Sequence, residues 1–350
     1  MRIAQIAPLF EAVPPKLYGG TERVVSFLTD ELVALGHDVT LFASGDSITN
    51  ARLEPVWPHA LRLDPSVRDT IAPHMMAMEL VSQHAASFDV LHCHLDYWPF
   101  SLFSRQSVPF VTTLHGRLDL PEIRPMFELF PNASVVSISD SQREPLPEAN
   151  FVATVLHGLP AELLTPLPIR PEYLAFLGRI CPEKRVDRAI RIARRVGIPL
   201  KIAAKVDRVD REYFEAEIRP MLDGPGVELV GEIGDADKAA FLSGAAALLM
   251  PIDWPEPFGL VMIEAMACGT PTIAFDRGSV REVIDEGVSG FIVPGEDEAV
   301  TAVERAVRLP RACVRTCFDQ RFTARRMALD YLSVYRSLGA AGRVPLRAIG

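Results

Sequence analysis

The chain has 350 residues, of which 49% are hydrophobic and 23% charged, with a net charge of −9 at pH 7. These proportions exclude a disordered, collagen-like or coiled-coil chain, and the length predicts about two domains. Residues 1–160 carry 10 basic and 18 acidic side chains, whereas residues 161–350 carry 26 and 27. The acidic first half argues against nucleic acid as a partner.

Short apolar runs alternate with helical periodicity through the first half. The pattern predicts a helix at residues 20–35 and strands at residues 2–7, 38–43, 88–92, 110–113 and 134–138. Continuously apolar strands separated by helices are typical of a parallel sheet covered on both faces. The longest near-apolar run, residues 241–252, is much shorter than the roughly 20 residues that span a bilayer. Without a signal peptide pattern either, we expect a cytoplasmic protein.

Prolines interrupt the alternation at residues 158–171, and the pattern then restarts. In the second half it predicts a helix at residues 186–196, a C-terminal helix at residues 324–338, and strands at residues 173–177, 200–204, 227–230, 245–250 and 272–274. We therefore predict two doubly wound α/β domains in series. Ligands of such sheets bind beyond the carboxyl ends of the strands, so the two domains are expected to share a cleft.

The most informative segment is residues 254–269, WPEPFGLVMIEAMACG. Helical periodicity begins near Gly259, and the first amides of a helix form an anion site, here those of Phe258, Gly259, Leu260 and Val261. Because Glu256 and Glu264 would repel a phosphate, they are better placed on hydroxyl groups beside it. A diphosphate flanked by two sugars has that geometry. The alternative is that Glu256 is a charge at the helix start and Glu264 a solvated side chain.

Two cations lie in the loop that leads from the first strand of the second half to a helix. Arg179 and Lys184 suit two phosphates, Arg through its planar fork and Lys as a point charge. The alternative is a basic helix start that Glu183 and Asp187 neutralise.

Three positions in the first half are candidates for ligand contact. Gly19 and Gly20 lie between a strand and a helix, where they allow the backbone to approach a phosphate closely. His115 follows a strand, at the carboxyl end where a ligand is expected. A histidine that is satisfied within its own loop is the alternative.

One pattern resembles a metal site. His92, His94 and Asp96 have the spacing of metal ligands, but no cysteine or carboxylate elsewhere completes an obvious set. We therefore predict no metal site.

These segments resemble the retaining glycosyltransferases of family 4, which have the GT-B fold. The pair Glu256 and Glu264, inside PEPFGLVMIEAMACGTPTIA, matches the family pattern, and the segment from Gly178 to Lys184 is similar to its diphosphate motif. Gly19 and Gly20 match its N-terminal glycine loop, while Ser137-Ile138-Ser139 and His157-Gly158 match its inter-domain region. The resemblance runs from Met1 to about Leu338.

The resemblance implies two Rossmann-like domains that face a central cleft, with a C-terminal helix packing back toward the first domain. The implied bounds are 1–165 for the acceptor-binding domain, 166–322 for the nucleotide-sugar-binding domain, and 323–350 for the helix and tail. It further implies that a hexose moves from a UDP- or GDP-type nucleotide-diphospho-sugar to an acceptor with retention of configuration. No metal or other cofactor is expected. A small-molecule, glycan or lipid-linked acceptor fits, and the last leaves peripheral membrane contact open.

The resemblance also implies roles for single residues. Arg179 and Lys184 bind the diphosphate with the amides of Leu260 and Val261, and Glu264 binds the ribose hydroxyls. Glu256, with amides near Phe258 and Gly259, holds the sugar, which His115 contacts from the first domain. Lys205 stands where the family often has a small glycine-rich turn, as either another donor contact or a surface residue.

Two other functions remain open from the sequence. One is another GT-B-like enzyme, such as a nucleotide-sugar epimerase or a sugar phosphorylase. The other is a non-catalytic protein that binds a nucleotide sugar.

Overall fold

The computed structural model describes residues 1–16 and 19–341, which form two units. Unit 1 comprises Met1–Gly158 and the C-terminal residues from Ala324 onward, and unit 2 comprises Leu159–Thr323. The proline-containing segment that follows Gly158 packs within unit 2, where the Arg315 guanidinium donates to the Ala161 carbonyl at 2.8 Å and the Leu164 carbonyl at 2.7 Å.

Unit 1 is built on a seven-stranded, fully parallel sheet with the order β3-β2-β1-β4-β5-β6-β7. Its strands are β1 (Arg2–Ile6), β2 (Asp38–Ser44), β3 (Arg52–Trp57), β4 (Val90–Cys93), β5 (Phe110–Thr113), β6 (Val135–Ser137) and β7 (Phe151–Thr154). Helices α1 (Gly20–Ala34), α2 (Ile71–His84), α3 (Phe100–Phe103), α4 (Ile123–Leu129) and α5 (Asp140–Arg143) connect them. The strand order reverses between β1 and β4, and we call this the switch point of unit 1.

Unit 2 contains a six-stranded parallel sheet with the order β10-β9-β8-β11-β12-β13. The strands are β8 (Tyr173–Arg179), β9 (Leu200–Lys205), β10 (Val227–Gly231), β11 (Ala245–Met250), β12 (Thr272–Phe275) and β13 (Gly290–Val293). The helices are α6 (Val186–Val196), α7 (Arg211–Tyr213), α8 (Arg219–Leu222), α9 (Asp235–Ser243), α10 (Leu260–Ala267), α11 (Val280–Val283), α12 (Glu296–Ala306) and α13 (Arg311–Arg321). The switch point of unit 2 lies between β8 and β11.

The last helix of the described chain, α14 (Ala324–Ala341), belongs to unit 1. It packs on α1, where Arg325 lies 3.3 Å from Glu31, and it buries the rings of Tyr331 and Tyr335 in the unit. The C-terminal helix thus packs on the first unit, as the resemblance implied.

Three strands were not predicted, and all three lie at an edge of a sheet: β3, β7 and β13. β3 contains Pro55 and charged residues and is nowhere fully buried, so it lacks the continuous apolar run of the inner strands. Within residues 1–16 and 19–341, no helix is long and apolar enough to cross a membrane.

Candidate active site

The switch point of unit 2 brings together the two segments that the sequence singled out. The Arg179–Lys184 loop follows β8, and the loop that contains Glu256 follows β11, the strand beside it. Loops at the carboxyl ends of the strands on either side of a switch point form the usual ligand crevice of doubly wound sheets. The backbone amide of Asp253 donates to the Glu183 carbonyl at 2.8 Å and joins the two loops.

Lys184 and Glu256 form a direct ion pair across these loops, between Nζ and Oε2. The Trp254 indole N–H donates to the same carboxylate oxygen at 3.0 Å, and Lys184 Nζ lies 5.1 Å from the centre of the indole ring. The Lys184 side chain is 23% exposed and that of Glu256 is 11% exposed, so solvent screens the pair only partly. An ammonium and a carboxylate are therefore held side by side in a crevice, where one can face an anion and the other a hydroxyl.

Gly278 lets the backbone of Glu256 pass very close to it, because glycine has no side chain. A Cβ atom at Gly278, whose φ is +58°, would lie 2.4 Å from both the backbone nitrogen and the carbonyl oxygen of Glu256. Next to it, the Ser279 amide donates to the Glu256 carbonyl at 3.0 Å, and Ser279 Oγ donates to the Phe258 carbonyl at 2.8 Å. The loop after β12 thus fixes the position of Glu256.

Helix α10 begins at Leu260, directly after Gly259 in the left-handed region. Gly259, Leu260 and Val261 are half-buried, whereas Phe258 is only 2% exposed. The amides of the first turn of a helix are unpaired within the helix and favour an anion. The helix start therefore offers donors beside the Lys184–Glu256 pair.

Glu264 lies in the second turn of α10 and is buried, so it is not a solvated side chain. Its Oε1 atom accepts a hydrogen bond of 2.8 Å from Lys238 Nζ of α9, and Lys238 also lies 3.3 Å from Asp235. Sequence reasoning missed Lys238 because its contact with Glu264 depends on the packing of two helices, and spacing does not encode that packing.

Arg179 and Lys205 occupy the ends of neighbouring strands and are register partners in the β8–β9 pair. Arg179 Nη1 lies 3.6 Å from Asp207 and 3.5 Å from Asp210, and Lys205 Nζ lies 3.0 Å from Asp207. Arg179 and Lys205 thus lie at neighbouring strand ends, and both are close to the carboxylate of Asp207.

In unit 1, His115 follows β5 and is fixed from several sides. Gln142 Nε2 donates to the carbonyls on either side of it, Leu114 at 2.9 Å and Gly116 at 2.7 Å. The His115 backbone amide donates to the Asp96 carboxylate. Its ring Nε2 atom lies 2.9 Å from His94 Nδ1. The sequence offered no sign of the role of Gln142, because it acts on backbone carbonyls.

The residues with metal-like spacing bond to side chains of unit 1. His92 lies 2.7 Å from Tyr335 Oη and 2.7 Å from Thr113 Oγ1, and His94 Nε2 lies 2.8 Å from Gln5 Oε1. Burial lowers the pKa of His92 to about 3 and lowers that of His94 well below its usual range. Among the residues that the structure describes, no group of three or more His, Cys, Asp or Glu side chains is arranged to hold a metal ion.

The predicted glycine loop precedes α1, and Gly19 is the residue before that helix. Glu22, in the first turn, is buried, and its Oε2 atom lies 3.1 Å from the position that a Gly19 Cβ would take. Burial, with a smaller effect of nearby Glu11, raises the pKa of Glu22. A carboxylate beside Gly19 and Gly20 suits a hydroxyl ligand better than a phosphate.

Several known proteins are similar to this chain in sequence or in fold. Phosphatidyl-myo-inositol mannosyltransferase of Mycobacterium leprae is 26% identical over 341 residues, which cover 86% of each chain. Sucrose-phosphate synthase from Thermosynechococcus elongatus superposes with a TM-score of 0.80 at 22% identity, over 97% of this chain and 99% of that one. Anabaena Alr3699/HepE in complex with UDP and glucose gives a TM-score of 0.74 at 17% identity, over 96% of this chain and 100% of that one.

Two family models match overlapping parts of the sequence. The model described as Glycosyltransferase Family 4 matches residues 18–180, and the one described as Glycosyl transferases group 1 matches residues 165–316. Their matches follow the two parallel sheets in chain order and include every candidate residue of both units. The chain is therefore a glycosyltransferase that belongs to family 4 and has the GT-B fold.

Proposed function

We propose that the protein transfers a hexose from a UDP- or GDP-type nucleotide-diphospho-sugar to an acceptor hydroxyl, with retention of anomeric configuration and without a metal ion. The observation that carries this proposal is the Lys184–Glu256 pair beside the start of α10 at the switch point of unit 2. A cation, a carboxylate and helix amides in one crevice match a ligand that combines phosphates with sugar hydroxyls. A structure of the same fold that contains UDP and glucose adds support.

These contacts support the roles that the resemblance implied, which we propose here. Arg179, Lys184 and the amides of Leu260 and Val261 bind the diphosphate, and Lys205 adds a cation at the neighbouring strand end. Glu264, oriented by Lys238, accepts hydrogen bonds from the ribose hydroxyls. Glu256, with the amides near Phe258 and Gly259, holds the sugar, and His115 of unit 1 contributes a further hydrogen bond to it.

The same groups account for the chemistry. The bond between the anomeric carbon and the diphosphate oxygen breaks while the acceptor oxygen bonds to that carbon. The acceptor proton passes to the departing diphosphate on the same face. Arg179, Lys184 and the α10 amides stabilise the charge that develops on the diphosphate, so that no metal ion is needed for this purpose. Each donor of this kind contributes roughly 3 kcal/mol to the transition state.

Unit 1 is proposed to bind the acceptor. Its excess of acidic side chains suits a neutral, hydroxyl-rich molecule better than an anionic one. Gly19 and Gly20 remain proposed donor contacts, and the buried Glu22 beside them suits a donor hydroxyl better than a phosphate. The mycobacterial relative is named for a phosphatidyl-myo-inositol, which has a polyol headgroup. We propose a polyol acceptor, either free or linked to a lipid, that contacts unit 1 through its hydroxyl groups rather than through a phosphate.

The test is to incubate the protein with UDP- and GDP-linked hexoses and to measure thermal shift and released nucleotide, with and without EDTA and polyol acceptors. We expect acceptor-dependent nucleotide release that EDTA does not abolish. NMR of the anomeric centre of the product reports retention or inversion. Sugar isomerisation without an acceptor, dependence on free phosphate, or binding without release would contradict the proposal.

A further inference from the structure

A continuous hydrogen-bond network of buried side chains leads to His115. Its members are Gln5 of β1, His92 and His94 of β4 and the loop after it, Thr113 and His115 of β5 and its loop, and Tyr331 and Tyr335 of α14. β1 and β4 flank the switch point of unit 1, and β5 lies next to β4. Gln5, His92 and Thr113 are fully buried, and His94 is 3% exposed.

The amide of Gln5 fixes the direction of the network. Its Oε1 atom, which can only accept, lies 2.8 Å from His94 Nε2, so this nitrogen carries the proton. Its Nε2 atom, which can only donate, lies 3.1 Å from Tyr335 Oη and 3.3 Å from His92 Nδ1. Because Tyr335 Oη accepts from Gln5, its hydroxyl proton is available to His92 Nδ1 at 2.7 Å, and this nitrogen accepts with its single lone pair. His92 Nε2 then donates to Thr113 Oγ1 at 2.7 Å.

The same logic extends to His115. Burial lowers the pKa of His94 well below its usual range, and that of His115 to about 3, so both rings are neutral and carry one proton each. Because the His94 proton is on Nε2, its Nδ1 atom is an acceptor. His115 Nε2 lies 2.9 Å from that atom and must donate to it. The remaining ring nitrogen of His115, Nδ1, then carries a lone pair.

We propose that Gln5 and His94 are positioning residues that hold His115 in the Nε2–H tautomer, so that its Nδ1 atom accepts a hydrogen bond from a substrate hydroxyl. The part that concerns the substrate rests on the proposed function. His115 then selects for a group that can donate, such as a sugar hydroxyl, and against a phosphate or carbonyl oxygen. Stacking against His157, at 5.3 Å and 19°, and the Gln142 bonds to the flanking carbonyls keep the ring in place.

The direct test is the tautomeric state of each ring in the unmodified protein. We would label the full chain with 15N-histidine, assign its eight histidines by single substitutions, and record two-bond 1H–15N spectra at pH 7.5 without ligand. We expect a protonated Nε2 and an unprotonated Nδ1 in both His94 and His115. A proton on Nδ1 of either ring, or a doubly protonated ring, overturns the inference.

Two substitutions of His94 connect the tautomer to activity. His94→Asn keeps an acceptor near the position of Nδ1, whereas His94→Leu removes it. With the nucleotide sugar that gives the fastest release in the panel above, we expect kcat/KM to fall about tenfold in His94→Leu and to be largely restored in His94→Asn. Equal losses in the two variants would contradict the positioning role.

His74 offers a matched control within unit 1. It is also fully buried, and its ring bonds to the Leu9 amide and the Thr70 carbonyl. His74→Leu should lower stability without changing the His115 tautomer, which separates a general loss of packing from loss of the network. The tautomers are measured in the absence of a nucleotide sugar. A reversed tautomer therefore overturns this inference and leaves the proposed function untouched. Absence of nucleotide release by the unmodified protein would instead contradict the proposed function.

Discussion

In unit 2 the loops at the switch point place Lys184 against Glu256, whereas in unit 1 the loops after β4 and β5 place His94 against His115. Both units are doubly wound parallel sheets, and in each the strand order reverses between two central strands. In unit 2 the polar groups are charged pairs, which include Lys238 with Glu264 and Lys205 with Asp207. In unit 1 they are neutral rings, an amide and hydroxyl groups. One topology therefore carries two kinds of polar site, and the side chains at the strand ends decide which.

The difference has a physical basis in burial and in pairing. Lys184 keeps some contact with solvent, with 23% of its side chain exposed, and the more buried Glu264 lies 2.8 Å from the opposite charge of Lys238. His92 and His94 are almost completely buried, and an isolated charge at that depth would be costly. A charged crevice suits a diphosphate, whereas a neutral network suits the orientation of a single hydrogen bond.

The largest expected effect comes from removing a cation of unit 2. Lys184→Ala should lower kcat about 100- to 1000-fold, because the diphosphate loses a positioned donor in the transition state. Nucleotide release at saturating donor measures it. Lys201→Ala is the control, since Lys201 lies near the opposite end of the same sheet, paired with Glu228. An unchanged rate in Lys184→Ala would show that Lys184 does not stabilise the transition state.

A smaller effect is expected from moving the carboxylate of the same pair without deleting it. Gly278→Ala forces the Glu256 backbone away, because the new Cβ would lie 2.4 Å from it. We expect kcat/KM to fall by some tens of fold, which corresponds to about 2 kcal/mol.

Gly287→Ala is the matched control for that variant. Gly287 also has a positive φ, +74°, but no described heavy atom lies within 4 Å of its ideal Cβ position. Both variants share the backbone strain of a left-handed alanine, which costs about 1 kcal/mol of folding stability. If Gly287→Ala reduces activity as much as Gly278→Ala, backbone strain rather than displacement of Glu256 is responsible.

Protonation of the neutral network of unit 1 is expected to lower the stability of the protein. The pKa of His92 is about 3 in the folded protein and about 6.5 in an unfolded chain. Between these pH values the unfolded state binds more protons than the folded state. The stabilisation that comes from neutral His92 is therefore complete above pH 6.5 and is lost as the pH falls toward 3. At pH 5 the loss from this one histidine is about 2 kcal/mol.

Urea denaturation at pH 7.5 and pH 5.0 measures this effect. In His92→Gln, the difference in unfolding free energy between the two pH values should shrink by about 2 kcal/mol relative to the unmodified protein. The exposed His59 is the control, and His59→Gln should leave the difference as it was. If His92→Gln shows the same difference in unfolding free energy between pH 7.5 and pH 5.0 as the unmodified protein, then His92 is not held neutral in the network of unit 1.

The sequence predicted the inner strands and the charged residues of the site for the same reason: both are local patterns. Continuous apolar runs mark β1, β8 and β11, and Arg179, Lys184, Glu256 and Glu264 stand in motifs that contrast with their surroundings. β3 was missed because its edge position leaves it partly exposed and tolerates Pro55.

The contacts between distant residues could not be predicted in the same way. Lys184 meets Glu256 because β8 and β11 are neighbours in the sheet, and Lys238 meets Glu264 because α9 packs beside α10. Gln142 acts on backbone carbonyls, which carry no residue identity. The spacing of His92 and His94 drew attention to them as metal ligands, but a hydroxyl that bonds His92 comes from Tyr335 of α14, which is remote in sequence.

The position of α14 has a consequence for the order of events during synthesis. Gln5 donates to Tyr335 at 3.1 Å, although the two residues are separated by 330 positions in the chain. On the ribosome the whole of unit 2 is made between them, and N-terminal segments generally fold first. The buried polar side chains of unit 1 therefore lack the Tyr335 hydroxyl until residue 335 has left the ribosome. A nascent chain arrested after Thr323 would contain all of unit 2 but only an incomplete unit 1, which makes the first-made half the last to be finished.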